Sequence, residues 1–374
     1  MAESFLIRDV FNINNVVKLG QEIKETYPEF DLDTYKSRLL HLLSEATFSE
    51  RKKAITDCLI ELLPSDYLKV IEILLACLPP AYEEESLDSD MDRFIVAPMA
   101  EVVARKGLSH FDASMQALYQ MTKTFTAEWA IRPFIEKFPQ ESHNLLMQWA
   151  GDPNAHVRRL VSEGTRPYLP WGKKLSITEK DPEWSLSILE RLIDDSSKYV
   201  VTSVANHLND LTRKHPGEVL ISLNKWKGRI HNHKPIPFFK KALRNLIKAG
   251  NTAALELIGF SSNVQVRIDG LSCLPQIKMG EKMEFTFDIH STADKSQEIL
   301  IDFIIHFHKS NGSLLPKVFK LTSFTLSSAS SKCISKSFSF KPITTRKYYP
   351  GPHKLEIMVN GKVMAKKKFT LINP

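Results

Sequence analysis

Cysteine is scarce in this chain of 374 residues. There are four, Cys58, Cys77, Cys273 and Cys333, with no CxxC pair and no histidine near them at zinc-finger spacing. That pattern excludes a disulfide framework and a cysteine-based zinc site, and reads as buried or half-buried thiols in a reducing compartment. Long apolar runs are missing as well. The most apolar stretch, Val70 to Leu78, is broken by Glu72 and falls well short of the roughly 20 residues that span a bilayer. The opening MAESFLIRDVFNINN has neither a basic n-region nor a long apolar run, so no signal peptide is expected and the chain reads as cytoplasmic, with no membrane partner. There is no GxxxxGK[ST] and no GxGxxG opening a helix, which removes the common phosphate-cradling loops. HExxH is absent, and the pairs His231/His233 and His306/His308 lack a supporting third ligand, so neither a metal nor a cofactor is expected. Nothing resembles a nucleophile elbow.

What is present is ordinary for a globular protein: 43% hydrophobic and 25% charged residues, in a length that suits two or three domains. The net charge of +7 is unevenly spread. Residues 1–125 hold 13 Lys+Arg against 21 Asp+Glu, residues 126–259 hold 20 against 14, and residues 260–374 hold 17 against 8. An acidic front followed by two basic regions points to the later regions as the part that faces a polyanion.

The period of the apolar residues sorts the chain into parts. Residues 1–125 read as successive helices. Phe30, Leu32, Tyr35, Leu39, Leu42 and Leu43 form one amphipathic face, Ser49 with Glu50 starts the next helix, and Ser65 and Asp66 cap a further one. The acidic stretch PPAYEEESLDSD (79–90) reads as a solvated loop, and helices are expected again at about 91–105 and 112–123. From residue 126 to about 260 helix pairs recur. DPNAHVRRLVSE aligns on DSSKYVVTSVAN and that on KPIPFFKKALRNLI, at spacings near 40 residues, the period of HEAT-like solenoids. Residues 261–374 change to period two. Seven short strand-like runs separated by turns, including Asn311-Gly312 and Asn360-Gly361, predict an immunoglobulin-like sandwich, although all five tryptophans lie earlier and the Cys…Trp…Cys pattern is missing. The expected architecture is a multidomain α + β chain. A HEAT-like α-solenoid over 1–260 comprises acidic N-terminal helices (1–125) and basic catalytic repeats (126–260), and an immunoglobulin-like β-sandwich follows over 261–374.

The stretch from Thr126 to Trp171, TAEWAIRPFIEKFPQESHNLLMQWAGDPNAHVRRLVSEGTRPYLPW, draws attention as a site. Glu128 and Trp129 open one helical pattern. Arg159, Glu163 and Arg166 share one face of another, at i, i+4 and i+7, opposite an inner face of Val157, Leu160 and Val161. Pro167 and Pro170 then hold Trp171 on a non-helical segment. In VVTSVANHLNDLTRKHP, Asp210 falls with Ser203, Asn206 and Arg213 on the side opposite Val200, Val204, Leu208 and Leu211, so it is expected on a polar groove. Arginines beside aromatics suit an anionic polymer carrying flat bases; a solvated helix face is the plainer alternative.

TAEWAIRPFI, HVRRLVSEGTRPYLPW and VANHLND together resemble the DNA alkylation repair glycosylases of the AlkC/AlkD family, most of all its AlkC branch. The similarity runs through the whole chain, including the C-terminal ITTRKYYPGPHKLEIMVNG, which looks like the immunoglobulin-like domain of many AlkC proteins. The resemblance implies a monofunctional DNA N-glycosylase, acting as a monomer on alkylated double-stranded DNA. It would release cationic N3-alkylated bases such as 3-methyladenine, and in the AlkC branch 3-methylcytosine, without deep base flipping. Its catalytic carboxylate falls on Asp210 and its second acid on Glu128. Trp129 and Trp171 match the aromatics that embrace the lesion, with Trp129 standing where phenylalanine is more usual. Arg159 and Arg166 match arginines that hold the DNA backbone. Lys173, Lys174, Arg213, Lys240, Lys241 and Arg244 are candidate phosphate contacts, and the loop Thr345-Arg346-Lys347-Tyr348-Tyr349 supplies Arg346 and Lys347 as a candidate clamp. A catalytically silent HEAT-like DNA-binding or scaffold protein is the rival reading.

Overall fold

The structure, a computed structural model, describes residues 6–42, 46–82, 91–344 and 346–373. Leu43, the 83–90 part of the acidic loop and Thr345 lie outside the described residues. The chain divides into two compact units. One comprises residues 1–215 with 226–233, and the other 216–225 with 234–374.

The first unit is helical. Its leading part holds α1 (Ile13–Thr26), α2 (Leu32–Leu42), α3 (Phe48–Leu62), α4 (Tyr67–Ala76), α5 (Val96–Lys106) and α6 (Phe111–Thr122). Local chemistry sets their starts. Asn12 caps α1 by accepting from the Asn15 N–H, and Asp66 caps α4 from Leu68. At α3 the cap is Thr47 rather than Ser49, in a reciprocal capping box with Glu50.

The site-bearing part follows: α7 (Arg132–Lys137), α8 (Pro139–Trp149), α9 (Ala155–Glu163), α10 (Ser176–Lys180), α11 (Pro182–Leu192) and α12 (Lys198–Leu211). Proline opens α8 and α11 at a position whose N–H would lack a helical partner anyway. Asn154 and Ser197 cap α9 and α12. The helix pairs α8–α9 and α11–α12 repeat in space as well as in sequence. Hydrogen bonds join Trp184 to Pro139, His143 to Ser187, Ser203 to Ser162 and Arg166 to Asp210, at separations of 45, 44, 41 and 44 residues. Val157, Leu160 and Val161 on α9 and Val200, Val204 and Leu208 on α12 are fully buried, each burial contributing about 1.5–3 kcal/mol.

The second unit holds α13 (Pro216–Trp226, through Lys225), α14 (Pro235–Ala242), α15 (Arg244–Lys248), α16 (Thr252–Glu256) and eight strands. These are β1 (Val266–Cys273), β2 (Gln276–Lys278), β3 (Lys282–Ser291), β4 (Gln297–His308), β5 (Leu314–Leu326), β6 (Ser331–Ser339), β7 (Gly351–Val359) and β8 (Lys362–Ile372). Two sheets, ordered β1-β3-β6 and β2-β8-β7-β4-β5, close over a core that includes Phe285, Phe287, Phe303, Phe307 and Phe340. The seven expected strands are present. The addition is β2, three residues pairing parallel to β8. The β7–β8 turn has positive φ at Asn360 (43°) and Gly361 (83°), the conformation that an Asn-Gly hairpin turn requires. Asn360 also accepts the Leu300 N–H at 2.7 Å and donates to the Ser261 and Glu298 carbonyls. Packing thus groups residues 234–260 with the sandwich, so the division of the chain comes earlier than the change of period at 261.

Candidate active site

A cavity of about 300 Å³ opens in the first unit where α9 and α12 meet the segment before α7. Aromatic rings make most of its wall: Tyr82, Phe94, Phe125, Trp129, Trp171 and Tyr199, with His156 among them. Tyr82 stacks on His156 at 4.7 Å between ring centroids, and Trp129 faces Trp171 at 6.4 Å and 27°. The acids lining it are Glu128 and Glu163, with Arg159 between them.

Behind the aromatic wall lies an ionic cluster. Arg159 donates to the Glu128 carboxylate and, at 2.8 Å, to Thr126 Oγ1, while Thr126 donates to Glu128 Oε2 at 2.9 Å. The other Arg159 nitrogen stands 3.6 Å from Glu163 Oε1. That same oxygen accepts Arg166 Nη1 at 2.6 Å, and Glu163 Oε2 accepts the Ser203 hydroxyl at 2.5 Å. Arg166 then reaches Asp210 Oδ2 with Nε at 2.9 Å and Nη2 at 2.8 Å. Three carboxyl groups and two guanidinium groups are thus tied into one network.

Burial sets the electrostatics. It disfavours the charge on Arg159, yet Glu128, Tyr199 and Glu163 outweigh it and hold the guanidinium above its ordinary pKa. Burial likewise works against the Glu163 carboxylate, and Arg159, Arg166 and the Ser203 hydroxyl bring its pKa below the usual range. Tyr199 is pushed up to about 12, chiefly by burial. Behind Ser162 the fully buried His207 is pushed down to about 3, again chiefly by burial, so it is neutral near pH 7 and its Nδ1 bonds the Ser162 carbonyl at 3.0 Å.

The loop that presents Trp171 is braced from below. Arg132 donates to the carbonyls of Gly164 and Arg166 at 2.8 Å each and to that of Lys173 at 3.0 and 2.6 Å. Burial pushes its pKa down to about 10. Trp129 Nε1 donates to the Pro170 carbonyl at 3.0 Å. Trp171 itself has φ of 58° and is 72% exposed. A large apolar ring held out of the core in a left-handed conformation is the kind of outlier that marks a working surface.

The structure therefore brings Glu128, Trp129, Arg159 and Trp171 to one cavity. Asp210 is not among the described lining residues. It is 2% exposed, buried under α9 rather than set on an open groove, and joins the cluster through Arg166. Arg159 is half-buried and Arg166 buried, and both are committed to carboxylates. Lys173, Lys174 and Arg213 are exposed on the same unit, with Lys174 and Arg213 over the ring of Tyr168. Lys240, Lys241 and Arg244 are exposed on α14 and α15 of the second unit. Arg346 is half-buried and packs over Phe307 and Phe319 of the sandwich at 4.8 and 5.4 Å, whereas Lys347 is exposed.

Sequence reading assigned no role to Glu163, Tyr82, His156 or Tyr199. Glu163 had a signal: an acid at i+4 from one arginine and i−3 from another serves both. Tyr82 comes from a loop more than forty residues upstream, and nothing local marks it. Among the described residues no group of three or more His, Cys, Asp or Glu could hold a metal ion, and no helix is long and apolar enough to cross a membrane.

A helical scaffold with a carboxylate–arginine cavity, joined to an immunoglobulin-like sandwich, defines the class, and comparisons with known proteins narrow it. The family model for the C-terminal Ig-like domain of the uncharacterised protein YhaZ matches residues 267–373. The uncharacterised protein YhaZ of Bacillus subtilis (strain 168) is 36% identical over 359 residues, 96% of this chain and 97% of that one. The solved structure of Pseudomonas fluorescens alkylpurine DNA glycosylase AlkC, bound to DNA containing an abasic site analog, is 35% identical with a TM-score of 0.80. That match covers 98% of this chain and 99% of that one. The chain belongs to the AlkC family of DNA alkylation repair glycosylases.

Proposed function

We propose that this chain is a DNA N-glycosylase that excises cationic N3-alkylated bases, 3-methyladenine and also 3-methylcytosine, from double-stranded DNA. The observation that carries the reading is the pair of carboxyl groups, Glu128 and Glu163, that line a cavity walled by aromatic rings and are held in one ionic cluster with Asp210, Arg159 and Arg166. The likeness to AlkC, named an alkylpurine DNA glycosylase and solved on DNA, supports DNA as the partner.

An alkylated base that already bears a positive charge leaves readily and needs no strong general acid. The enzyme must then stabilise an oxocarbenium-like sugar and place a water. Fixed negative charge in a site held by its own hydrogen bonds does this without reorganisation. Glu128 and Glu163 face the cavity and complement the developing cation. Asp210, buried behind the wall, is assigned to act through Arg166, which it holds against Glu163, so that the cavity-facing carboxylates place the water and take its proton. The faces of Trp129 and Trp171 offer the cationic base or the adjoining sugar cation–π contacts, worth about 0.5–2 kcal/mol each. Neutral bases gain neither this attraction nor the easy departure. An exposed Trp171 suits recognition at the duplex surface, without extrusion into a deep pocket. No lysine is among the described lining residues, so hydrolysis without lyase chemistry is the activity assigned, carried out by a monomer. Exposed Lys173, Lys174 and Arg213 are assigned to phosphates.

The test is release of free bases from methylated and unmethylated duplex DNA by the purified full chain. Release of 3-methyladenine from methylated DNA alone is expected. Salt-sensitive DNA binding with no base release, indifferent to alkylation, would instead identify a DNA-binding protein without catalysis.

A further inference from the structure

In the second unit a helical segment covers part of the outer face of the five-stranded sheet. Along β4, Ile299, Ile301, Phe303, Ile305 and Phe307 point into the sandwich core, which turns Leu300, Asp302 and Ile304 outward, since successive side chains alternate. These three are buried all the same. The cover comes from the helical segment before β1: Gly250, after α15, sits so close to Met358 of β7 that an added Cβ would lie 2.6 Å from its Cε.

Between that segment and the sheet is a cavity of about 390 Å³, within the range of small-ligand pockets. Ile247, Ile258, Phe260, Leu300 and Val318 form apolar walls, and the cationic side chains of Lys240, Arg244, Lys248 and Lys320 also line it. Asp302 lies inside. It sits at a β-bulge between β4 and β5 and is 6% exposed. Among the described residues its carboxyl has no hydrogen-bond partner and no ion pair. Burial pushes its pKa up to about 6, with the charge of Lys320 opposing. A buried carboxyl without donors costs stability, so its presence in a lined cavity points to donors brought by something that binds there.

A carboxylate accepts two parallel N–H bonds side by side. Of the four common bases, only guanine offers two adjacent donors, N1–H and the N2 amino group, on one edge. Adenine and cytosine set a ring acceptor beside their amino group, and thymine flanks its single N–H with two carbonyls. Apolar walls suit the flat base, and the lysines and arginine suit a phosphate. We propose that this cavity binds a guanine nucleotide, with the Watson–Crick edge on Asp302 and the phosphate on the Lys240, Arg244, Lys248 and Lys320 side. The nucleotide is either free or an unpaired member of a strand. None of these residues lines the cavity of the first unit, so the proposal stands apart from the glycosylase reading.

The experiment is calorimetric titration of the full chain with dGMP, dAMP and inorganic phosphate. Parallel titrations use single-stranded oligothymidine with and without one central guanine. The expected result is a guanine ligand bound at least tenfold more tightly than its adenine or thymine counterpart. That preference is lost in Asp302→Asn and in Asp302→Leu, both monitored for folding by thermal melting. Preference among the mononucleotides identifies a free nucleotide, and preference confined to the oligonucleotides identifies a strand. Equal binding of dGMP and dAMP with no guanine effect in the oligonucleotides would overturn the proposal. So would a guanine preference that survives in a folded Asp302 variant, or no binding in any arm.

Discussion

Replacing Arg166 with leucine removes the cation shared by two buried carboxylates, and the structure fixes what that should cost. Arg166 makes three charge-assisted hydrogen bonds, at 2.9 and 2.8 Å to Asp210 and 2.6 Å to Glu163. Both acids are almost wholly buried, so neither can recover its loss from water. Breaking such a pair from one side costs about 3–5 kcal/mol. The loss has a defined pH dependence. In the wild type the Glu163 pKa is held below its ordinary value, so the stability it contributes is present above the unfolded value of about 4.3 and fades on acidification. In the variant both carboxyls lose that cation and their pKa values rise, so the native state gains protons relative to the wild type and the stability gap narrows as pH falls. Urea unfolding of both proteins at pH 8 and pH 5 checks this. The gap should be about 3–5 kcal/mol at pH 8 and clearly smaller at pH 5. A gap under about 1 kcal/mol at pH 8, or one that does not change with pH, would refute the assignment of Arg166 as the centre of the buried cluster.

Trp171→Ala should slow single-turnover base release by about 2- to 30-fold, the kinetic equivalent of about 0.5–2 kcal/mol of cation–π contact. Its melting temperature should be unchanged, because the ring is exposed. If Lys173 and Lys174 each touch a phosphate, the double alanine variant should lower the slope of log K against log salt by about 2 in a DNA-binding titration. Asp302→Leu should stabilise the chain above pH 6. A carboxyl raised from 3.8 to about 6 carries a charging cost of about 3 kcal/mol. That cost falls away as pH drops from 6 towards 4, so the gain in denaturant midpoint should shrink over that interval.

Much of this fold was legible because the two halves obey different periods. The strands after residue 261 alternate and end in Gly, Asn or Ser turns, and the Asn360-Gly361 pair specifies its hairpin. β2 was not legible: Gln276–Lys278 is too short to show alternation, and its parallel pairing with β8 is a tertiary choice. The packing of residues 234–260 with the sandwich was not legible for a related reason. Residues 234–260 look helical, and helices suggested the helical domain. Yet the run ILIDFII in β4 is apolar at every position but one, which is the mark of a strand covered on both faces. In the candidate site, helical spacing placed Arg159, Glu163 and Arg166 on one face correctly. A helical wheel does not say what covers that face. The covering element, α12, adds Ser203 and Asp210, which is why side chains expected on a solvated groove form a buried cluster. The aromatic wall draws Tyr82, Trp129, Trp171 and Tyr199 from four separate segments, a convergence that only the packed repeats create.

The most direct test of the carboxylate cluster is single-turnover release of 3-methyladenine from methylated duplex DNA by the wild type, Asp210→Asn and Glu163→Gln. Each variant removes one acid's charge while keeping its shape. With the wild type active, each variant should lose about 10²–10³ in rate, the scale for one electrostatic group in a preorganised site, while still binding the DNA. Wild-type rates in both folded variants would contradict a mechanism built on these carboxylates.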